Sequence, residues 1–180
     1  MKNIKGFYRF LFVCLIQFSL GVTAQNNTIV IKKGWQFRQQ GTAKWNGATV
    51  PGEVHTDLLN NKMIPDPYFG DNEKKVQWVE KVNWEYKTSF SVTAATLKNK
   101  HAELVFDGLD TYATVYLNGK LVLNADNMFR QWRADVKSIL RSGNNQLQIV
   151  FQSAQNVVDS LAKKDLPYVL PDNPRLYARK

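Results

Sequence analysis

The stretch ELVFDGLDTYATVYLNGKLVL, residues 103–123, decides the fold that the sequence predicts. Leu104 and Phe106 alternate with Glu103 and Val105, which is the period of a strand whose two faces differ in their surroundings. Asp107-Gly108 then favours a turn, after which the alternation resumes. The pattern therefore predicts a strand, a turn and a second strand.

The second strand leads directly into Asn118-Gly119. This pair favours a type I′ turn, because both of its residues readily adopt a positive φ. The apolar run of residues 121–123 returns from the turn, so we predict a β-hairpin whose register this turn sets. Both faces of residues 111–117 carry apolar or aromatic side chains, so we expect that strand to be covered on both sides within a sandwich.

Three further segments show strand periodicity. Residues 84–92 alternate most regularly, and residues 128–133 and 146–151 follow the same rule. Trp35 and Phe37 share one side of another short segment, and we expect both in the core. Helical spacing is confined to residues 53–60 and 153–164. Several strands, few helices and alternating faces predict an antiparallel β-sandwich.

Composition is that of an ordinary globular protein, with 180 residues, 44% hydrophobic and 22% charged. The first residues differ from the rest: three cations precede the apolar run of residues 10–20, and the small residues Val22-Thr23-Ala24 follow. The run is too short to span a bilayer. We therefore predict a signal peptide over residues 1–24 and one domain over residues 25–180, secreted or periplasmic and free of the membrane after cleavage.

The remaining bulk features disfavour several function classes. The net charge of +9 includes three cations of the predicted signal peptide, and the other cations are scattered, so we expect no nucleic-acid partner. Cys14, the one cysteine, lies in the signal peptide, and His55 and His101 are far apart in sequence. We therefore predict neither a metal site nor a cofactor.

Residues 61–81, NKMIPDPYFGDNEKKVQWVEK, form a long segment without clear periodicity. Loops of this length are usually functional or form interfaces. Its aromatic residues either stack on a sugar ring or anchor the loop to its own or a neighbouring domain, and we favour anchoring as the commoner use. The candidate residues of this interface or sugar-stacking loop are Tyr68, Phe69, Asp71, Asn72, Glu73 and Trp78.

A series of short motifs resembles the amino-terminal domain of the β-mannosidases of glycoside hydrolase family 2. The first group is VPGEVHTDLL (50–59), IPDP (64–67), DNE (71–73), VQWV (76–79) and WEY (84–86). A second group resembles the general sugar-binding domain of that family: FDGLD (106–110), VYLNG (115–119), NMF (127–129) and DV (135–136). Many motifs in one order are more specific than any single match.

The resemblance implies an all-β fold, namely an antiparallel, galactose-binding-like jelly-roll β-sandwich with one or two short helices. It also implies the non-catalytic domain of an exo-acting, retaining β-mannosidase, which removes terminal, non-reducing β-D-mannose from oligosaccharides. In the family, two catalytic glutamates lie in a later (β/α)8 barrel. We therefore assign no catalytic or substrate-binding residue here, and expect that barrel as the partner through which mannose-containing oligosaccharides are bound.

Two alternatives stay open at this point. One is a free-standing carbohydrate-binding module, and the other is the same domain from a β-galactosidase or a β-glucuronidase. Residues 176–180 resemble the beginning of another element. We therefore expect a domain truncated at its carboxy-terminal end, in which case the chain is a fragment of an enzyme.

Overall fold

A computed structural model describes residues 27–162. Its strands are β1 (Gln36–Gln39), β2 (Asn46–Gly47), β3 (Trp84–Val92), β4 (Glu103–Phe106), β5 (Ala113–Leu117), β6 (Lys120–Ala125), β7 (Trp132–Asp135) and β8 (Gly143–Phe151). Its helices are α1 (Val54–Asn60), α2 (Asn72–Val76) and α3 (Ala154–Ala162), with short 3-10 helices at Gln77–Lys81 and Thr96–Lys98. Within the described residues, no helix is both long enough and apolar enough to cross a membrane.

The strands form two antiparallel sheets. The larger has six strands in the order β2-β1-β3-β8-β5-β6, and the smaller pairs β4 with β7. The longest pairing of the larger sheet joins β3 to β8 over nine residues, from Trp84 opposite Phe151 to Val92 opposite Gly143. The prediction of an all-β, antiparallel fold is therefore confirmed, although the described residues form three short α-helices and two 3-10 helices where one or two short helices were expected.

The hairpin predicted at Asn118-Gly119 is present. These residues have φ values of 52° and 78°, as a type I′ turn requires, and they join β5 to β6. The segment at Asp107-Gly108 has a different role, because β4 pairs with β7 and not with β5. Residues 107–112 therefore carry the chain from one sheet to the other.

The side chains of β5 differ between its two faces. Ala113, Val115 and Leu117 are buried, whereas Thr114 and Tyr116 remain partly exposed. The expectation of full cover on both faces is therefore met on one face only. The strand has β8 on one side and β6, at the sheet edge, on the other.

The core lies on the inner face of the larger sheet. Trp35 and Phe37 are buried, as predicted, and the Phe37 ring centroid lies 5.9 Å from that of Trp84 and 5.7 Å from that of Tyr86. Burying an aromatic or aliphatic side chain of this size stabilises a fold by roughly 1.5–3 kcal/mol. This aromatic cluster joins β1 to β3, and the Tyr86 hydroxyl links it to Asp57 of α1.

Two predicted strands have different bounds. The strand expected at residues 128–133 begins only at Trp132, because the preceding residues form a turn in which the Phe129 N–H donates to Asn127 Oδ1 at 2.8 Å. The strand expected at residues 146–151 begins earlier, at Gly143. In α3, Val158 is buried whereas Leu161 is largely exposed.

Several sequence predictions lie outside the described residues. These are the signal peptide, Cys14 and the element expected at residues 176–180.

Candidate functional site

Residues 61–81 are more ordered than their sequence suggested. They contain α2 and a 3-10 helix, and Ile64, Val76 and Val79 fix them to the core. The expectation of a segment without regular structure is therefore wrong. The helical periodicity is hard to see in the sequence because each of the two helices spans five residues.

Two of the candidate aromatics lie at the tip of this segment. Tyr68 is 98% exposed and Phe69 is 77% exposed, beside Gly70 with its φ of 57°. The Tyr68 N–H donates to Asp66 Oδ1 at 2.9 Å, which holds the turn. Neither aromatic ring anchors the loop to its own domain, so both are available to a neighbouring surface.

The polar candidates lie at the beginning of α2. Asp71 Oδ2 is 3.6 Å from Lys74 Nζ, on the surface. Asn72 donates from Nδ2 to the carbonyl of Asp66 and accepts from Lys75 Nζ, both at 2.9 Å. Asn72 therefore stabilises the loop, and Asp71 and Glu73 are exposed carboxylates on its surface.

Trp78 stands apart from the tip and borders a cavity of about 220 Å³, which we call the Trp78 cleft. Trp78 is 38% exposed, and its ring centroid lies 5.9 Å from that of buried Trp84 at a tilt of 44°. The lining residues come from four separate segments: Gln39, Thr42, Lys44, Asn46, Asn61, Met63, Trp78 and Trp84.

The polar side chains of the Trp78 cleft are largely unengaged. Within the described residues, the side-chain amides of Gln39 and Asn46 and the ammonium group of Lys44 make no hydrogen bond or ion pair. The Trp84 indole N–H is committed to the carbonyl of Val79 at 3.0 Å, whereas the Trp78 indole N–H has no partner in that part of the chain. The cleft thus presents donors, acceptors and the side chains of two tryptophans together.

A buried carboxylate supports one wall of the cleft. Asp57 is only 1% exposed, and it accepts hydrogen bonds from the Thr49 N–H at 2.8 Å and from the Tyr86 hydroxyl at 3.0 Å. Asn61 donates from Nδ2 to the carbonyls of Gly47 and Asp57, both at 2.8 Å. These bonds tie α1 to residues 47–49, next to Asn46 of the cleft.

Burial governs the titration of this pair. Desolvation raises the pKa of Asp57, and the hydrogen bonds from Thr49 and Tyr86 oppose that rise only in part. Burial also raises the pKa of Tyr86, and the nearby Asp57 carboxylate raises it further. The sequence did not lead us to predict Asp57 as a buried residue. Its position between Val54 and Leu58, on the apolar stripe of α1, is the pattern that indicates burial.

A second, more open groove of about 390 Å³ runs beside α3. Its polar groups are mostly engaged: Ser153 Oγ donates to the carbonyl of Glu80 at 2.5 Å, and Asn156 Nδ2 donates to that of Lys81 at 2.9 Å. These bonds fasten α3 to the sandwich.

His55 and His101 have no metal-binding neighbours, since residues 27–162 contain no group of three or more His, Cys, Asp or Glu placed to hold an ion.

The sequence of residues 35–180 matches the family described as the glycosyl hydrolase 2 galactose-binding domain-like family. The chain belongs to this family. The match confirms the predicted galactose-binding-like fold, and it covers every described strand together with all of the Trp78 cleft.

Curated relatives of this glycosyl hydrolase 2 domain include β-mannosidases. β-mannosidase B of Thermothelomyces thermophilus is 42% identical over 129 residues, which are 70% of this chain and 15% of that protein. β-mannosidase A of Emericella nidulans is 42% identical over 117 residues, which are 64% of this chain and 12% of that protein.

Solved structures share the architecture. The crystal structure of a β-D-mannosidase from Dictyoglomus thermophilum has a TM-score of 0.78 and 42% identity, covering 83% of this chain and 19% of that one. An exo-chitosanase of Amycolatopsis orientalis has a TM-score of 0.62 but 19% identity over 71% of this chain and 17% of its own, which shows the fold alone. The chain thus spans less than a fifth of the length of these relatives.

Proposed function

We propose that this glycosyl hydrolase 2 domain is the non-catalytic, amino-terminal part of an exo-acting, retaining β-mannosidase. The complete enzyme hydrolyses terminal, non-reducing β-D-mannose residues in oligosaccharides. The observation that carries the proposal is the 42% identity to a solved β-D-mannosidase over 83% of the chain. A β-D-glucuronidase from the same organism is only 19% identical, which disfavours the glucuronidase alternative.

The chemistry requires another domain. A retaining glycosidase needs two carboxyl groups about 5–5.5 Å apart, one as nucleophile and one as acid. The residues lining the Trp78 cleft include no carboxylate, so this cleft cannot supply that pair. We therefore propose that the catalytic pair belongs to a (β/α)8 barrel of the complete enzyme, as the family resemblance implies.

The test is the activity of the complete protein that contains this chain. We expect it to hydrolyse an aryl β-mannoside with retention at the anomeric carbon, and to prefer that substrate to the aryl β-glucuronide and β-galactoside. The 180-residue chain alone is expected to show no turnover above a matched blank. A preference for either other glycoside, or activity of the chain alone that survives repurification, would overturn the proposal.

We also propose that Tyr68 and Phe69 pack against the barrel. Two adjacent aromatics that are almost fully exposed are unusual on a free surface, and large aromatics are typical anchors of interfaces. Replacing both with serine in the complete enzyme is expected to lower the free energy of unfolding on the order of 2 kcal/mol, with little change in KM.

The control for that interface is Phe129→Ser, because Phe129 is equally exposed but lies between β6 and β7. We expect little change in stability from this control. Equal losses from both variants, or a large rise in KM for the double variant, would contradict the packing of Tyr68 and Phe69 on the barrel.

Finally, we propose export to the periplasm or the medium. The proposal is supported by the three early cations, the short apolar run of residues 10–20 and the small residues before Gln25. Amino-terminal sequencing of the protein from its native source should begin at Gln25. A mature protein that retains residues 1–24 would contradict cleavage at this position.

A further inference from the structure

We propose that the Trp78 cleft binds one pyranose ring of a neutral oligosaccharide. The cleft combines an exposed aromatic ring with unengaged amide groups, which is the chemistry that a ring with both C–H faces and hydroxyl edges requires. That the ring is a mannosyl unit rests on the proposed function.

The aromatic part of the cleft is Trp78. Buried Trp84 supports its indole at a centroid distance of 5.9 Å, while more than a third of Trp78 stays open. Trp84 is in turn held by the bond from its indole N–H to the carbonyl of Val79. A supported and partly open indole offers a rigid apolar surface to the C–H face of a sugar ring, at little cost in conformational entropy.

The polar part of the cleft matches sugar hydroxyl groups. The amides of Gln39 and Asn46 each supply donors and an acceptor, and Lys44 supplies donors only. Asn61 donates through Nδ2 to two backbone carbonyls, which leaves its Oδ1 as an acceptor. No buried side-chain polar atom of the described residues lacks a partner, so these unengaged groups face solvent and can exchange water for hydroxyls.

The size of the cleft suits one pyranose ring. Its cavity of about 220 Å³ is smaller than the pockets that enclose drug-sized ligands. Further units of an oligosaccharide would remain outside. Lys44 is the one charged side chain of the lining, and without a carboxylate the cleft binds sugar but does not hydrolyse it.

The competing interpretation is that another domain of the enzyme covers the Trp78 cleft. Such an interface would bury Lys44 and the amides of Gln39 and Asn46, and each would need a partner on the opposing surface to offset its desolvation. A concave wall with so many unengaged polar groups therefore favours a hydroxyl-rich ligand.

The test uses the indole N–H signals of the full chain in an ¹⁵N NMR titration with β-1,4-mannotriose. The chain has five tryptophans, and Trp78→Phe assigns the signal that matters. In the structure, the indole N–H groups of three others donate to backbone carbonyls: Trp35 to Ile31, Trp84 to Val79 and Trp132 to Asn127.

Trp45 is the matched control. It makes no indole hydrogen bond within the described residues, but its ring lies 4.3 Å from the Arg38 guanidinium carbon and 4.0 Å from Lys87 Nζ, outside the Trp78 cleft. Mannitol is the control ligand, because it carries hydroxyl groups without a pyranose face.

We expect a saturable shift of the Trp78 signal with a Kd on the order of 1 mM, and no comparable shift for Trp45 or with mannitol. Gln39→Ala combined with Asn46→Ala should weaken binding about tenfold while the other indole signals stay in place. A Trp78 signal that does not move, that responds equally to mannitol, or that follows the same isotherm as Trp45 would overturn the site.

Failure of this proposal and failure of the proposed function are distinguishable, because the titration does not measure hydrolysis. If the Trp78 signal does not move while the complete protein cleaves aryl β-mannosides, only sugar binding in the Trp78 cleft is overturned. Saturable binding of cellotriose with none of mannotriose would overturn the assignment of a mannosyl unit.

Discussion

The hydroxyl of Tyr86 donates a hydrogen bond of 3.0 Å to Oδ2 of Asp57, deep beneath α1. Tyr86 belongs to β3 in the larger sheet, and the other oxygen of Asp57 accepts from the Thr49 N–H. One buried carboxylate therefore connects the sheet, the helix and the chain beside the Trp78 cleft.

Tyr86→Phe tests the strength of this connection. The change keeps the ring and deprives the buried carboxylate of a donor, so we expect the free energy of unfolding to fall by about 1–3 kcal/mol in urea titrations. Tyr116→Phe is the control, because Tyr116 is partly exposed and makes no side-chain hydrogen bond within residues 27–162. Equal losses from the two variants would show that the bond to Asp57 contributes nothing specific.

The raised pKa of Asp57 predicts a pH dependence of stability. Its ordinary value is 3.8, and the folded state holds the proton more tightly than the unfolded state does. The contribution of Asp57 is therefore fully present below pH 3.8 and is lost as the pH rises through the folded-state pKa. Asp57→Asn removes this titration while keeping the shape of the side chain.

We expect the free energy of unfolding of the native chain, minus that of Asp57→Asn, to decline as the pH rises above 3.8. Urea titrations of both proteins at a series of pH values measure this difference. A difference that is constant, or that grows with pH, would mean that burial does not raise the pKa of Asp57.

Arg38 and Glu85 form an ion pair whose removal should be costly. Glu85 is only 6% exposed, and Arg38 Nε lies 2.5 Å from its Oε2. Arg38→Ala leaves a nearly buried carboxylate without its cation, so we expect a loss of about 3 kcal/mol in the free energy of unfolding.

The matched control is Arg133→Ala, which removes the exposed pair with Glu103. We expect this variant to lose less than about 1 kcal/mol, because water and salt screen exposed charges. Thermal or urea unfolding of the two variants side by side measures both losses. Similar losses would indicate that Glu85 is better solvated than its position in β3 suggests.

Local chemistry explains which features were predictable. Asn118-Gly119 determines its own turn, and β3 alternates so regularly that residues 84–92 were predicted with the observed bounds. By contrast, the pairing of β4 with β7 joins segments about 30 residues apart. Strand period alone carries no information on which distant partner a strand will find.

The candidate site was predictable only in part. Trp78 was recognised as an aromatic in an unusual segment, but its cleft is completed by Gln39, Lys44 and Asn46 from the region around β1 and β2. Those residues look like ordinary surface positions in the sequence. Register brings Gln39 directly opposite Trp84, and this proximity exists only after the sheet has formed.

The position of β8 has a consequence for biosynthesis. It lies in the interior of the larger sheet, between β3 and β5, although it follows every other described strand in the sequence. A nascent chain that has not yet extended beyond Phe151 therefore exposes the open edges of two strands, which are ready to pair with other chains. The larger sheet cannot close until residues 143–151 are available to pair, so protection of these edges by chaperones should matter most before then.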